Sequence, residues 1–82
     1  MPINIGRFAQ RERREDTYTP SNGQTIFTLT ATPTDITDVD VYVNNVKYEQ
    51  LTNYTVLSNA VTWLDTPFTM QTTDAVEIIY FV

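Results

Sequence analysis

The segment VDVYVNNVKY, residues 39–48, constrains the fold of this chain more than any other stretch. Val39, Val41 and Val43 alternate with polar or aromatic residues, and this period of two is typical of a half-buried β-strand. Asn44 and Asn45 separate it from a second strand-like run, and asparagine tolerates the positive φ angles of a two-residue hairpin turn. The segment therefore predicts an antiparallel β-hairpin.

Further along the chain the same pattern recurs in short pieces. The runs QTIFTL, NYTVL, AVTWL and AVEIIYFV alternate between apolar and polar residues, and the turn signals PSNG and Ser58-Asn59 lie between runs. Residues 65–74 show no period and contain a proline, so we expect a loop there with Phe68 turned inward. A chain of 82 residues forms at most one domain. We predict an all-β fold, either a small antiparallel β-sandwich or a partly open barrel.

Charge divides the chain into two segments. Residues 1–16 form a predicted N-terminal charged arm, extended or in a short helix, and residues 17–82 form the predicted β domain. The arm contains four of the five basic residues, and only Lys47 is basic after them. The β domain is therefore strongly acidic, although threonine and valine dominate its composition.

The arginines of the arm suit attachment to an acidic partner surface, because guanidinium groups pair with carboxylates through two parallel hydrogen bonds. The alternative is a solvated tail or a short helix in which Arg11 pairs with Glu15. Nucleic-acid binding is not predicted, since acidic residues interleave with the arginines and phosphate binding needs a positive face. The predicted docking residues are Ile3, Ile5, Arg7, Phe8, Arg11, Arg13 and Arg14.

The last apolar run, residues 75–82, has two faces that differ in character. One face is apolar throughout, whereas the other begins with Ala75 and Glu77 and ends with Ile79 and Phe81. Both faces could be covered within the fold, but a thin domain has little material to do so. We therefore predict that Ile79 and Phe81 form an oligomer interface. Tyr42 and Tyr48 flank the hairpin turn, and we expect them on an outer face in contact with a partner.

Composition restricts the chemistry that the chain supports. It has no cysteine and no histidine, which removes thiolate metal sites and the usual general base. Asp35, Asp38 and Asp40 are candidates for Ca²⁺ binding, but they lack the spacing, glycine and closing glutamate of an EF-hand, so we read them as solvated. We predict no enzyme, no cofactor and no metal. No apolar run reaches the roughly 20 residues that a membrane-spanning helix needs, so no membrane contact is predicted.

Taken in order, the segments GQTIFTL, VDVYVNNVKY, NYTVL, AVTWLDTPF and DAVEIIYFV resemble a short β module of tail-fibre, tailspike and other appendage proteins of tailed bacteriophages. The resemblance covers roughly residues 18–82, with Asn45 where that family usually has glycine. It implies a structural role, a homotrimer and a place in the virion after assembly in the bacterial cytoplasm. In the family the module lies within long fibres, whereas here it is nearly the whole sequence. We therefore expect a virion accessory: a head decoration or cement protein, or an appendage adaptor. The alternative is a tail-fibre component or a receptor- or carbohydrate-binding module.

Overall fold

The chain folds into two antiparallel sheets. The structure is a computed structural model and describes residues 12–82. In chain order the strands are β1 (Arg13–Tyr18), β2 (Ile26–Thr28), β3 (Asp40–Val43), β4 (Val46–Tyr48), β5 (Tyr54–Leu57), β6 (Ala60–Trp63) and β7 (Val76–Phe81). One sheet has four strands in the order β1-β7-β3-β4, and the other has three in the order β2-β6-β5. The sheets face each other and do not close into a barrel, so the predicted all-β fold is confirmed as a small sandwich.

Alternation along each strand determines which side chains enter the core. Val39, Val41 and Val43 are almost completely buried, as the sequence predicts. In β7 every second residue from Val76 to Tyr80 is buried and the residues between them are half-buried. Side chains of both sheets meet in one core, which consists of Phe27, Leu29, Val39, Val41, Val43, Tyr54, Val56, Val61, Trp63, Met70, Val76, Ile78 and Tyr80.

Two tight turns set the registers of the hairpins. Asn44 and Asn45 have φ angles of 53° and 68°, so both adopt the left-handed conformation that a type I′ hairpin turn requires. This confirms the predicted hairpin and explains why asparagine can stand where glycine is usual. Ser58 has a φ of 55° and begins the second two-residue turn, which joins β5 to β6. Because each turn fixes its register, it also fixes which side chains face the core.

Aromatic rings and one buried hydroxyl join the two sheets. Tyr18 of the four-stranded sheet meets Phe27 of the three-stranded sheet edge to face, with ring centroids 5.3 Å apart. The Tyr54 hydroxyl donates to the Val39 carbonyl oxygen at 2.6 Å. The loop of residues 65–74 closes one end of the core. Within it Phe68 is half-buried against the core, as expected from the sequence.

The charged segment requires a correction at its C-terminal end. Residues 13–16 were predicted to belong to an arm, but they lie in β1, which pairs with β7 along six residues. No helix is present in the described part of the chain, and β1 is extended. The four charged residues RRED are weak β-formers, so their strand conformation comes from the ladder with β7 rather than from local preference. The remaining residues of the predicted arm, apart from Glu12, lie outside the described residues.

Candidate functional site

The solvent-facing side of the four-stranded sheet brings together four of the residues that the sequence singled out, Arg13, Tyr42, Ile79 and Phe81. Pairing in register places partner residues on the same face of a sheet, so the face can be read from the ladders. We call it the outer face. Its members are Arg13, Glu15 and Thr17 of β1, Glu77, Ile79 and Phe81 of β7, Asp40 and Tyr42 of β3, and Lys47 of β4.

An apolar centre with a charged surround characterises the outer face. Ile79 lies in the middle strand between Glu15 and Asp40, which are its direct partners on β1 and β3. Phe81 lies opposite Arg13 at the end of the same strand. Ile79 and Phe81 are both half-buried, so part of the apolar surface of each side chain still faces water. A partly exposed apolar centre with a polar rim is the anatomy of a protein interface.

Two ion pairs lie on this face. Arg13 Nη1 is 3.5 Å from Glu15 Oε1, and Lys47 Nζ is 3.8 Å from Asp40 Oδ1. All four side chains are about half exposed, so each pair contributes at most about 1 kcal/mol. Their main effect is to leave the two basic groups of the face locally neutralised. Glu77 adds a negative charge, so the face as a whole has the acidic character of the chain.

The predicted docking residues separate into three groups. Ile3, Ile5, Arg7, Phe8 and Arg11 lie outside the described residues. Arg13 is on the outer face, where it shares the surface with Ile79 and Phe81. Arg14 points to the opposite side of β1 because neighbouring residues of a strand face opposite ways. Its Nε is buried, lies 3.4 Å from Glu12 Oε2, and makes no hydrogen bond to a described residue.

Of the two tyrosines predicted on an outer face, only Tyr42 is there. The prediction for Tyr48 is wrong, because Tyr48 pairs with Val41 and therefore shares the core side of the sheet. Its ring contacts Trp63 and Phe68 edge to face, at centroid distances of 5.3 and 5.8 Å. Part of the Tyr48 ring stays exposed and lines an open groove of about 480 Å³. The groove also contains Asp40, Lys47 and Gln50.

A polar cluster joins β1 to β7 and to the segment that follows β2, and sequence reasoning missed it. The Asp16 carboxylate accepts hydrogen bonds from the Tyr80 hydroxyl at 2.7 Å and from the Thr30 backbone N–H at 2.9 Å. The Thr30 hydroxyl donates to the same carboxylate at 2.9 Å. Burial opposes ionisation of Asp16, but these hydrogen bonds and the Arg14 charge together lower its pKa. The sequence did not indicate this cluster, because Asp16 was predicted to lie in the arm and not in a strand.

Two tyrosines between the sheets have raised pKa values. Burial raises the pKa of Tyr54 to about 12, and the nearby Asp40 carboxylate adds to the effect. Burial likewise raises the pKa of Tyr18 to about 12, with a further contribution from Asp16. Both hydroxyls donate to backbone carbonyl oxygens, that of Tyr18 to Thr28 at 2.8 Å. Their arrangement is structural, since each hydroxyl ties one sheet to the other.

The aspartates considered for Ca²⁺ are dispersed. Asp35 accepts from the backbone N–H and the hydroxyl of Thr37, at 2.9 and 2.6 Å, and so orders the turn before β3. Asp40 is on the outer face with Lys47. Across residues 12–82 no group of three acidic residues comes together in a way that could hold a metal ion.

Comparison with known proteins adds no family to these observations. No protein-family model and no curated protein matches the chain. Nor does any helix with the length and hydropathy for crossing a bilayer occur among the residues that the structure describes.

Proposed function

We propose that this protein is a structural accessory of a tailed-bacteriophage virion, either a head decoration or cement protein or an appendage adaptor. In this proposal it self-associates and attaches to a larger virion assembly. Two observations support it: the resemblance of its β segments to phage appendage modules, and the partly exposed apolar side chains of the outer face. No catalytic step and no cofactor is part of the proposal.

The observation that carries the proposal is the position of Ile79 and Phe81. They occupy a strand that has neighbours on both sides, so their exposed surface cannot be covered by another strand of the same sheet. A contact above the sheet can cover it. Full burial of such a side chain contributes about 1.5 to 3 kcal/mol, so the half that remains exposed is worth about 1 kcal/mol for each residue in each copy. The family resemblance implies that three copies meet there.

The N-terminal segment supplies the second contact in this proposal. β1 begins at Arg13, directly opposite Phe81, so the chain enters the sheet at one end of the outer face. Residues 1–11 include Arg7 and Arg11 together with apolar residues. A partner that binds this segment would therefore lie next to the self-association face. Arginine–carboxylate contacts at an exposed site weaken with ionic strength.

Deletion of residues 1–11 tests the attachment. Because β1 begins at residue 13, this deletion spares the ladder with β7, whereas removal of residues 1–16 would break it. The measurement is co-sedimentation with purified phage heads and, separately, with tails that lack the protein. We expect binding to one of the two, a decrease with added salt, and loss on deletion with an unchanged far-UV spectrum. Binding that survives the deletion contradicts attachment through residues 1–11. Absence of binding to both heads and tails contradicts the proposed virion role.

Phe81→Asp tests the self-association. Light scattering during size exclusion should give a lower mass for this variant than for the unsubstituted protein. Thr62→Asp is the matched control, because Thr62 lies on the solvent-facing side of the other sheet. Fluorescence of Trp63, the only tryptophan, reports whether each variant is folded. An unchanged mass for a folded Phe81→Asp variant contradicts the proposed interface.

A second candidate function rests on the groove beside Tyr48. A partly exposed aromatic side chain with carboxylate, ammonium and amide groups around it supplies the apolar surface and the hydrogen-bonding groups that a saccharide site needs. A glycan array with the unsubstituted protein and with Lys47→Ala tests it. Saccharide binding that the substitution abolishes supports a receptor-binding module instead of attachment to a particle.

A further inference from the structure

The free edge of β1 differs from every other strand edge of the sandwich. Glu12 and Val82 exchange two backbone hydrogen bonds, at 3.2 and 2.9 Å, at the start of the β1–β7 ladder. In an antiparallel ladder, alternate residues bond to the partner strand and the residues between them point away from it. The N–H and C=O groups of Arg13, Glu15 and Thr17 therefore point away from β7, to the open side of the sheet. Residues 13, 15 and 17 are all exposed.

The other three edge strands are short or already occupied. On the open side of β2, the carbonyl oxygen of Ile26 accepts from Gln24 Nε2 and that of Thr28 accepts from the Tyr18 hydroxyl. On the open side of β5, the Tyr54 carbonyl oxygen accepts from the backbone N–H of Leu51 at 2.6 Å.

The fourth edge strand, β4, has only three residues. Its turn fixes Val43 opposite Val46, so within β4 only Lys47 turns its backbone groups outward. Among the described residues, β1 thus offers the longest strand edge without hydrogen-bond partners. Such an edge is a template for an added strand.

We propose that two copies of the chain join through this edge, with the two β1 strands antiparallel across a two-fold axis. Three outward residues on each copy, each with one donor and one acceptor, complete a ladder of six hydrogen bonds. The two four-stranded sheets then form one continuous sheet of eight strands. This contact uses backbone groups at the edge and leaves the outer face free, so it does not depend on the proposed virion role.

The charges of β1 favour a second copy of the chain as the partner at this edge. They also favour one register between the two β1 strands. For the two sheets to continue face to face, Arg13, Glu15 and Thr17 must pair with one another. A two-fold centred on Glu15 places Arg14 opposite Asp16 of the other copy, twice, on the core side of the sheet. The buried Arg14 Nε, which has no hydrogen-bond partner among the described residues, then has a carboxylate opposite it. The two Glu15 side chains meet on the axis, but each has Arg13 of its own strand 3.5 Å away.

The neighbouring registers are electrostatically worse. Centring the axis on Arg14 brings Arg13 opposite Glu15, but it also places the two Arg14 residues opposite each other and Glu12 opposite Asp16, twice. Centring it on Asp16 brings two carboxylates directly opposite each other. Like charges directly opposite each other destabilise a strand pair. In the Glu15-centred register, the two Glu15 carboxylates are the one pair of like charges directly opposite each other in β1, and two Arg14–Asp16 pairs are complementary.

Cysteine cross-linking in the full chain tests the register, since the protein has no cysteine of its own. In the proposed dimer, position 15 lies on the axis with its Cα about 5.5 Å from its mate, within the range for a disulfide. Position 17 on the same edge is roughly 14 Å from its mate, which is too far. We expect Glu15→Cys to form a covalent dimer under mild oxidation and Thr17→Cys to remain uncross-linked. Equal cross-linking of the two variants, or none for Glu15→Cys, overturns the proposal.

A proline substitution gives an independent test. Glu15→Pro removes an N–H that points away from β7, so it blocks the added strand without removing a bond of the β1–β7 ladder. Lys47→Pro is the matched control, because it likewise removes one charge and one outward N–H, from β4. Light scattering should show an even number of 9.4 kDa chains for the unsubstituted protein and for Lys47→Pro, and half that number for Glu15→Pro. A monomer throughout, or a trimer that Glu15→Pro leaves intact, overturns the proposal.

Discussion

Asp16→Asn should destabilise the sandwich, because it neutralises the acceptor that three donors share. Hydrogen bonds to an ionised acceptor contribute about 1.5 to 3 kcal/mol, against about 0.5 to 1.5 for neutral pairs, so the substitution loses about 1 kcal/mol for each donor. Asp16 is partly exposed, which reduces the loss. We expect the free energy of unfolding to fall by about 2 kcal/mol at neutral pH.

The effect should depend on pH in a defined direction. The pKa of Asp16 is lower in the folded protein than in the unfolded chain, where a carboxyl titrates near pH 3.9. The folded state therefore binds fewer protons in this window, and the stabilisation by Asp16 is fully present above about pH 5. It is lost as pH falls through the lowered pKa. The difference between the two proteins should be constant from about pH 6 to 8 and shrink below about pH 4.

Urea unfolding, followed by Trp63 fluorescence, measures this difference. The indole is almost completely buried, so its emission should respond to opening of the core. The midpoint should move with little change in slope, since the surface exposed on unfolding stays the same. Glu49→Gln is the control, because it removes a negative charge from an exposed side chain. Equal midpoints for Asp16→Asn and the unsubstituted protein at pH 7, or a difference that persists undiminished at pH 2, would refute the role of the cluster.

Four further substitutions probe the core and the hairpin. Tyr54→Phe should lower the free energy of unfolding by about 1 to 2 kcal/mol, because the buried Val39 carbonyl loses its donor. The phenolate absorbance that develops near pH 12 should also decrease, with the Tyr18 contribution remaining, and an unchanged titration contradicts the assignment. Asn45→Gly should leave the free energy of unfolding unchanged or raise it by up to about 1 kcal/mol, because residue 45 has a positive φ. Asn44→Gly should lower it by about 1 kcal/mol or more, because the Asn44 side-chain amide is hydrogen-bonded to Asp74 and Ala75 in the turn before β7. Calorimetry that reverses this order contradicts the turn geometry. Met70→Ala should cost about 2 to 5 kcal/mol in urea unfolding because the side chain is fully buried in the core, and a loss below about 1 kcal/mol would place Met70 outside it.

The sequence alone predicted the features that depend on local geometry. The alternation in VDVYV and in the last strand identified the buried faces, because side chains of a strand point to opposite sides in turn whatever the strand pairs with. Asn44 and Asn45 identified the hairpin, because few residues tolerate their backbone conformation. Placing Ile79 and Phe81 on a second, partly exposed face needed the same reasoning and no knowledge of the fold.

Tertiary structure decided whatever depends on pairing between distant segments. β1 begins with four charged residues that have little preference for strands, and it becomes a strand because β7, about 60 residues further along the chain, offers a ladder for its backbone. That pairing also creates the Asp16 cluster, and among the described residues it leaves the other edge of β1 without a partner strand. Tyr48 was misplaced for a related reason, since its face follows from its partner Val41 across the turn. Side-chain periodicity is a local property of the backbone, whereas strand pairing depends on which segments the whole chain brings together.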